Sequence, residues 1–376
     1  MKIGIVTYWK SSDNYGEQLQ CYALQKYLRD QKHEAFLIRY DYDNDMIYGS
    51  RPLPVRLIRA CNPKRLINHF RGRKNNRERL KDRELHPRGF GSFRDQNLTM
   101  SKVYPSIDDL RSDPPEADLY ITGSDQVWNT YDASLIEMKN RLSTFFLDFG
   151  PTETKRISYA ASWGRNEVPN DEKEYIRPLL ARFDAVSVRE RSGIDLCRQM
   201  GYSDAEMALD PVLLHDVETY RSLYRGKYQG AQEKYLFFYY LNNDGSYNIQ
   251  TVFDMAEKMG LKVVYVTDDW HDDHDRSFPG ITEWISLIDN AEYVVTNSYH
   301  CSIFALIFGK RFGVIKRAGK HAGMNTRIDQ LFEMFGISPR YMDGNDPEVL
   351  ERPADKADLK VPDGFLTPDQ IIGRLR

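Results

Sequence analysis

Two successive blocks in which strand and helix patterns alternate constrain this chain more than any other feature. Lys2–Tyr8 is a short apolar run that reads as a buried strand. After the polar loop Ser11-Ser12-Asp13-Asn14-Tyr15-Gly16, the residues Leu19, Tyr22, Ala23, Tyr27 and Leu28 recur at helical spacing, and Glu34–Tyr40 reads as the next strand. Strand, helix and strand joined by short loops form a βαβ unit, which requires a parallel sheet. The alternation breaks between about Asp41 and Phe93. It resumes with strands expected at Asp118–Gly123, Arg156–Ala161, Ala185–Arg189 and Ala205–Leu209, and helices at Glu172–Phe183 and Ser192–Met200.

A second block starts near Lys234. Its expected strands are Tyr235–Leu241, Lys262–Thr267, Glu292–Thr296 and Phe312–Lys316, and its helices Tyr247–Met259, Ile281–Ile288, Tyr299–Phe308 and about Asn325–Met334. At about 150 residues per domain, 376 residues suit two domains. The expectation is an α/β protein with two Rossmann-like domains facing a cleft, each a parallel sheet flanked by helices. The boundary falls in Asp210–Gly230. Residues 1–215, with a basic insertion at about 45–95, form the first domain, and residues 216–376 the second.

Composition narrows the class. Apolar residues make up 41% of the chain, enough for two cores, and the formal charge of −3 shows no bias toward nucleic acid. The longest unbroken apolar run, Tyr235–Leu241, is far short of the roughly 18 residues of a spanning helix. The N-terminal MKIGIVTYWK lacks the apolar stretch of a signal peptide. Cys21, Cys61, Cys197 and Cys301 are widely spaced, as reduced thiols of a cytoplasmic enzyme would be.

Ligands of such sheets collect where strands end. No G-x-G-x-x-G or G-x-x-x-x-G-K-[ST] follows any expected strand, which argues against a dinucleotide dehydrogenase or a P-loop enzyme. In the first loop, Asp13 or Asn14 either caps the following helix or meets a polar ligand. Gly123-Ser124-Asp125-Gln126-Val127-Trp128-Asn129 offers hydrogen bonds and an indole face to a sugar, although Trp128 packed in the core is the plainer reading. Arg189, in Arg189-Glu190-Arg191, is either a surface ion-pair partner or a fork for phosphate or carboxylate. Thr296-Asn297-Ser298-Tyr299-His300 is the most informative stretch. It places His300 in the first turn of a helix, among N–H groups that attract anions, with Ser298 in support. Lys316, Arg317, Lys320, His321 and Arg327 follow the next strand end and suggest a shared anionic ligand.

Two other stretches point less clearly. Asp268–Asp275 is rich in carboxylates and imidazoles but fits no standard metal spacing, so no metal is expected. Arg51–Arg94 holds 14 Lys+Arg against three Asp+Glu, interleaved with Leu57, Ile58, Leu66, Ile67 and Phe70. It reads either as a charged outer face or as a basic amphipathic surface for anionic lipid or a lipid diphosphate.

Together these stretches resemble the polysaccharide pyruvyl transferase family. The matching segments include IGIVTYWKSSDNYGEQLQCYALQKYL, DLYITGSDQVWN, RISYAASWG, AVSVRERSGIDLC, LDPVLL and AEYVVTNSYHCSIFALIFGKRF, in family order from Lys2 to about Arg340. The resemblance implies a GT-B-like fold and transfer of a pyruvyl group from phosphoenolpyruvate to a sugar as a ketal, in capsule or exopolysaccharide synthesis. It implies no cofactor and no metal. The acceptor would be a lipid-linked or nucleotide-linked saccharide, and the enzyme would work in the cytoplasm or peripherally at the inner membrane face.

The family's important Arg and His fall on Arg189 and His300. Cys301 stands where Gly usually follows the His, and Ser298 where some members carry Arg. That departure turns attention to Arg317, Lys320 and Arg327 as donor contacts beside Arg189, Ser298 and His300. His300 is then the expected proton donor or phosphate holder, and Asp13 or Asp125 the group that orients or deprotonates an acceptor hydroxyl. Asn14, Ser124, Asp125, Gln126 and Trp128 are the expected acceptor contacts. The alternatives are a GT-B-type glycosyltransferase using a nucleotide sugar and a non-catalytic carbohydrate-binding subunit.

Overall fold

A computed structural model describes residues 1–42, 78, 80–130, 133, 135–227, 233–243, 245–269, 272–342, 348–352 and 361–375. In its first lobe, β1 (Lys2–Val6), β2 (Glu34–Tyr40), β3 (Met100–Tyr104), β4 (Leu119–Thr122), β5 (Lys155–Ala161), β6 (Ala185–Val188) and β7 (Glu206–Ala208) belong to one sheet. The second sheet holds β8 (Tyr235–Tyr240), β9 (Lys262–Thr267), β10 (Tyr293–Thr296) and β11 (Arg311–Val314), ordered β11-β10-β8-β9. All pairings in both sheets are parallel. Helices cover both faces, so β4 and β8 are buried at every position, and their sequences read as continuous apolar runs.

β12 (Phe365–Leu366) does not belong to the second lobe. It pairs with Met207 and Ala208, extending the first sheet to β12-β7-β6-β5-β4-β1-β2-β3. The helix Pro368–Gly373 follows it, and Tyr27 Oη donates to Asp369 at 3.3 Å. The expected division at 215/216 therefore does not describe the tail, which returns to the first lobe. Two ladder residues and a six-residue helix carry too little periodicity to reveal such a crossing from sequence.

The elements form for local reasons. Asn14 caps the helix Tyr15–Asp30 by accepting from the Glu17 N–H at 3.2 Å, a contact worth about 1 kcal/mol. Ser298 caps the helix Tyr299–Ile307 by accepting from the Cys301 N–H at 3.4 Å. Both helices start at the carboxyl ends of inner strands, β1 and β10, where each strand order reverses. β3 was not legible because it is an edge strand with two exposed residues, so it shows no clean alternation.

The lobes press together through aromatic side chains. Tyr15 stacks on Trp284 with centroids 5.0 Å apart and donates from its hydroxyl to the Pro279 carbonyl at 2.7 Å. Tyr15 also meets Tyr239 of β8 edge-on at 5.7 Å. One buried cluster therefore runs from Ile3 and Leu19 in the first lobe to Phe237, Trp284 and Phe304 in the second. The carboxyl ends of both sheets face each other across this seam.

Among the described residues, no helix is long and apolar enough to cross a membrane. Most of the basic insertion, residues 45–77 and 79, lies outside the described residues. Its described end crosses the seam: Arg88 Nη2 donates to the Thr267 carbonyl at 2.8 Å, and His86 stacks on Phe278 with centroids 3.9 Å apart.

Candidate active site

Five separate strand ends bring charge to one buried spot. Arg189 follows β6, Asp210 follows β7, His300 lies in the first turn after β10, and Asp125 follows β4. Arg327 arrives from the helix Asn325–Met334 beyond β11. All five side chains are buried. Arg189 Nη1 bonds Asp210 Oδ2 at 2.8 Å, and His300 Nε2 stands 3.5 Å from the same oxygen. Arg189 Nη2 lies 3.7 Å from Asp125 Oδ1. Asp210 thus joins a guanidinium of the first lobe to an imidazole of the second.

The electrostatics follow from this packing. Burial pushes the Asp210 carboxyl up, but His300, Arg189 and the Val212 N–H outweigh it and hold the group well below the usual carboxylate range. Burial alone would weaken the Arg189 charge; Asp210 chiefly, with Tyr299, Asp125 and Glu190, keeps it firmly protonated. For Arg327, which lacks the Asp210 contact, burial and the Arg189 charge outweigh Glu190, Asp125 and Tyr299 and lower its pKa. The Tyr299 ring lies within 5.0 Å of the Arg189 guanidinium and 5.5 Å of that of Arg327, so its π face meets both cations.

The decisive feature is a set of donors without acceptors. Arg189 Nε and Arg327 Nε are buried with no hydrogen-bond partner, and Arg189 Nη2 and His300 Nε2 meet Asp125 and Asp210 only at ion-pair distances of 3.7 and 3.5 Å. Buried polar groups are normally satisfied, and each orphan costs roughly 1–3 kcal/mol. Several at one point describe a site built for an acceptor-rich anion.

Two glycines permit the close approaches. A Cβ on Gly16, in the first turn of the Tyr15–Asp30 helix, would sit 2.3 Å from His300 Nδ1. The imidazole therefore rests on the start of that helix while belonging to the start of another. A Cβ on Gly123 would meet the Tyr159 carbonyl oxygen at 2.3 Å, and its φ of +108° suits glycine. Gly16→Ala is expected to push His300 away from Asp210 and lower turnover on the order of tenfold to a hundredfold. Steady-state kinetics, with circular dichroism showing a retained fold, would check this.

The expected donor residues are distributed unevenly. Arg189, His300 and Arg327 converge. Arg317 is near: its Nε donates to the Asn297 carbonyl at 2.9 Å, and burial with the Arg327 charge pulls its pKa down to about 10. Ser298 is occupied as the helix cap described above. The side chain of Lys320 lies outside the described residues.

The expected acceptor residues fare differently. Trp128 is a correction: it is fully buried, stacked on Phe146 at 4.8 Å, and its Nε1 donates to the Phe145 carbonyl at 3.2 Å. It offers no face to a sugar, because burying an indole in the core is worth more than exposing it. Asn14 is the helix cap, and Ser124 is fully buried, with its carbonyl accepting from Thr7 Oγ1 at 3.0 Å. The Gln126 amide, turned with its oxygen toward Arg327, accepts from both terminal nitrogens at 3.1 and 3.2 Å. Asp125 faces Arg189. Asp13 instead pairs with Arg83 from the end of the basic insertion, at a cavity of about 280 Å³ that also touches Arg88, Arg94 and Asp268.

Sequence reasoning did not place Asp210, Gly16, Tyr299 or Glu190 in the site. A signal for the first lies in the sequence: Asp210 stands before Pro211 at the end of an expected strand, inside the family-matching segment LDPVLL. Among the described residues, no group of three or more His, Cys, Asp or Glu side chains is placed to hold a metal ion. In the acidic loop, Asp272 pairs with His274 at 2.7 Å and accepts from the Tyr265 hydroxyl at 2.7 Å.

The sequence model of the polysaccharide pyruvyl transferases matches residues 14–318, most of the chain, including the segments that carry Asp125, Arg189, Asp210 and His300. The chain belongs to the polysaccharide pyruvyl transferase family. It is therefore a transferase, with a pyruvate donor and a saccharide acceptor as the family's substrates. No curated protein matches it in sequence.

Solved structures show the fold of this transferase. A Methanocaldococcus jannaschii UDP-GlcNAc 2-epimerase in complex with UDP-GlcNAc and UDP superposes with a TM-score of 0.52 at 11% identity, covering 100% of this chain and 99% of that one. Another structure of the M. jannaschii enzyme gives 0.50 at 10%, covering 100% and 99%. A putative UDP-N-acetylglucosamine 2-epimerase from Listeria monocytogenes gives 0.50 at 9%, covering 100% and 95%. At such identities the likeness concerns architecture alone: two parallel-sheet lobes of the GT-B type.

Proposed function

We propose that this transferase moves the enolpyruvyl group of phosphoenolpyruvate onto a saccharide and closes it to a pyruvate ketal. The observation that carries this reading is the set of orphaned donors on Arg189, Arg327 and His300. Phosphoenolpyruvate has a phosphate at one end and a carboxylate at the other, so two guanidiniums beside one ring match its two charges. Arg189 is locked to Asp210 and still has Nε and Nη2 to give. Arg327 supplies the second cation, and the Ser298-capped helix turn adds N–H groups favourable to an anion.

In this mechanism His300 delivers a proton to the methylene carbon, and the cationic centre that develops at C2 is attacked by one sugar hydroxyl. A second hydroxyl then displaces phosphate and closes the ketal. Of the two hydroxyl protons lost, one ends on the new methyl group and one on the phosphate. Asp210, ionised and 3.5 Å from His300 Nε2, fixes the orientation of the imidazole for the first step. Asp125 or Asp13 would take a hydroxyl proton. A lipid-linked or nucleotide-linked acceptor, cytoplasmic action at the inner membrane face and a role in capsule or exopolysaccharide synthesis complete the proposal.

The test is phosphate release from phosphoenolpyruvate in the presence of lipid-linked and nucleotide-linked sugars. Arg327→Gln should raise the KM for phosphoenolpyruvate at least about tenfold, since a charge-assisted hydrogen bond is worth roughly 1.5–3 kcal/mol. Thermal protection by a nucleotide sugar, with no response to phosphoenolpyruvate, would instead favour a glycosyltransferase.

A further inference from the structure

Beside the anion site lies a second feature that the donor chemistry leaves unused. Glu190, between Arg189 and the helix Arg191–Gln199, is 4% exposed. Its Oε1 accepts three hydrogen bonds, from Ser162 Oγ at 3.0 Å, the Trp163 N–H at 2.7 Å and the Gly164 N–H at 3.2 Å. Its Oε2 is buried and has none. A carboxylate oxygen held rigidly by its twin and left without a donor asks for one from outside the chain.

Glu190 lines an interlobe pocket of about 340 Å³, with Ser192 from the first lobe and Thr326, Asp329, Gln330 and Glu333 from the second. That volume is at the small end of ligand sites. The lining is carboxylates, hydroxyls and the amides of Asn166 and Gln330, with Arg191 already paired to Glu333 at 3.3 Å. Such a wall repels an anion and suits a neutral ligand that presents many O–H donors. Gln330 spans the lobes here, donating to the Arg189 carbonyl at 2.7 Å and accepting from the Arg191 N–H at 3.0 Å. The pocket thus adjoins the backbone of the very arginine that faces the donor.

We infer that this pocket is the saccharide acceptor subsite, with Glu190 Oε2 accepting a hydrogen bond from a sugar hydroxyl. It replaces the surface expected around Trp128, which the core has absorbed. Oε2 is shielded from solvent, so its engagement by a sugar requires the Gln330 bridge to the Arg189–Arg191 backbone to yield. The inference deepens the transfer reading and depends on it only for the fate of the bound sugar.

The test needs no donor. Saturation-transfer NMR with a panel of methyl hexopyranosides would be run on the wild type, Glu190→Gln and Thr326→Trp. The first variant keeps the shape and an oxygen for the three N–H and O–H donors, but presents NH2 where Oε2 stood. The second places an indole in the pocket from an exposed helix position. At least one glycoside should bind the wild type, bind Glu190→Gln about tenfold or more weakly, and fail to bind Thr326→Trp. No binding to the wild type, or undiminished binding to either folded variant, overturns the inference. Phosphoenolpyruvate binding measured alongside by calorimetry reports on the donor site, so its failure with glycoside binding intact would count against the donor reading instead.

Discussion

Replacing His300 with alanine should lower phosphate release from phosphoenolpyruvate by about 10²- to 10⁴-fold, the usual range for a lost general acid. The expectation rests on position. The imidazole sits over Gly16, at the start of one helix, and within the first turn of another, with Asp210 3.5 Å from its Nε2. In that setting it can both carry a proton and hold the phosphate that leaves. The loss should appear mainly in kcat if the proton is the larger contribution and in KM if the phosphate contact is. Turnover within tenfold of the wild type would remove His300 from the chemistry. Circular dichroism and thermal unfolding should show a retained fold, because Asp210 keeps its bond to Arg189.

Asp210→Asn should cost about 3–5 kcal/mol of stability, the usual consequence of taking one partner from a buried ion pair. The amide can still accept from the Val212 N–H, but the buried Arg189 charge would be left with Asp125 at 3.7 Å as its nearest carboxylate. Urea unfolding should show a lower midpoint at unchanged slope. The sign of the pH dependence follows from the depressed carboxyl. A group whose folded pKa is below its unfolded value contributes fully above the unfolded value and is lost as pH falls through the folded one. The stability difference between wild type and variant should therefore be constant near neutrality and shrink only in strong acid, below the usual aspartate range. A difference that vanished between pH 5 and 7 would mean that Asp210 is not the ion-pair partner described.

Much of the architecture was legible in the residues. The strands around Lys2–Val6, Lys155–Ala161, Tyr235–Tyr240 and Lys262–Thr267 announce themselves because helices cover both faces of each sheet and leave them few polar positions. The helix Asn325–Met334 stands where its spacing put it. The misses have a common cause. β3 is an edge strand and β12 has two residues, so neither carries the burial that writes a pattern into sequence.

The site divides along the same line. His300 and Arg189 were readable because each follows a strand end, a position where backbone geometry alone gathers ligand contacts. Trp128 was misplaced as an acceptor contact because an aromatic residue after a strand end looks the same whether it faces a ligand or the core.

Local pattern, then, determined the two α/β blocks, a helix cap at Asp13 or Asn14, and the loops from which an anion would be held. Tertiary structure decided which of those loops meet. Residues 16, 125, 189, 210, 300 and 327 are separated by as much as 311 positions along the chain, and no periodicity records that they converge. The seam between the lobes brings them together, and there a carboxylate, an imidazole and two guanidiniums are forced into contact in a medium that cannot screen them. Their charge states and their unfilled hydrogen bonds exist only once that seam has closed.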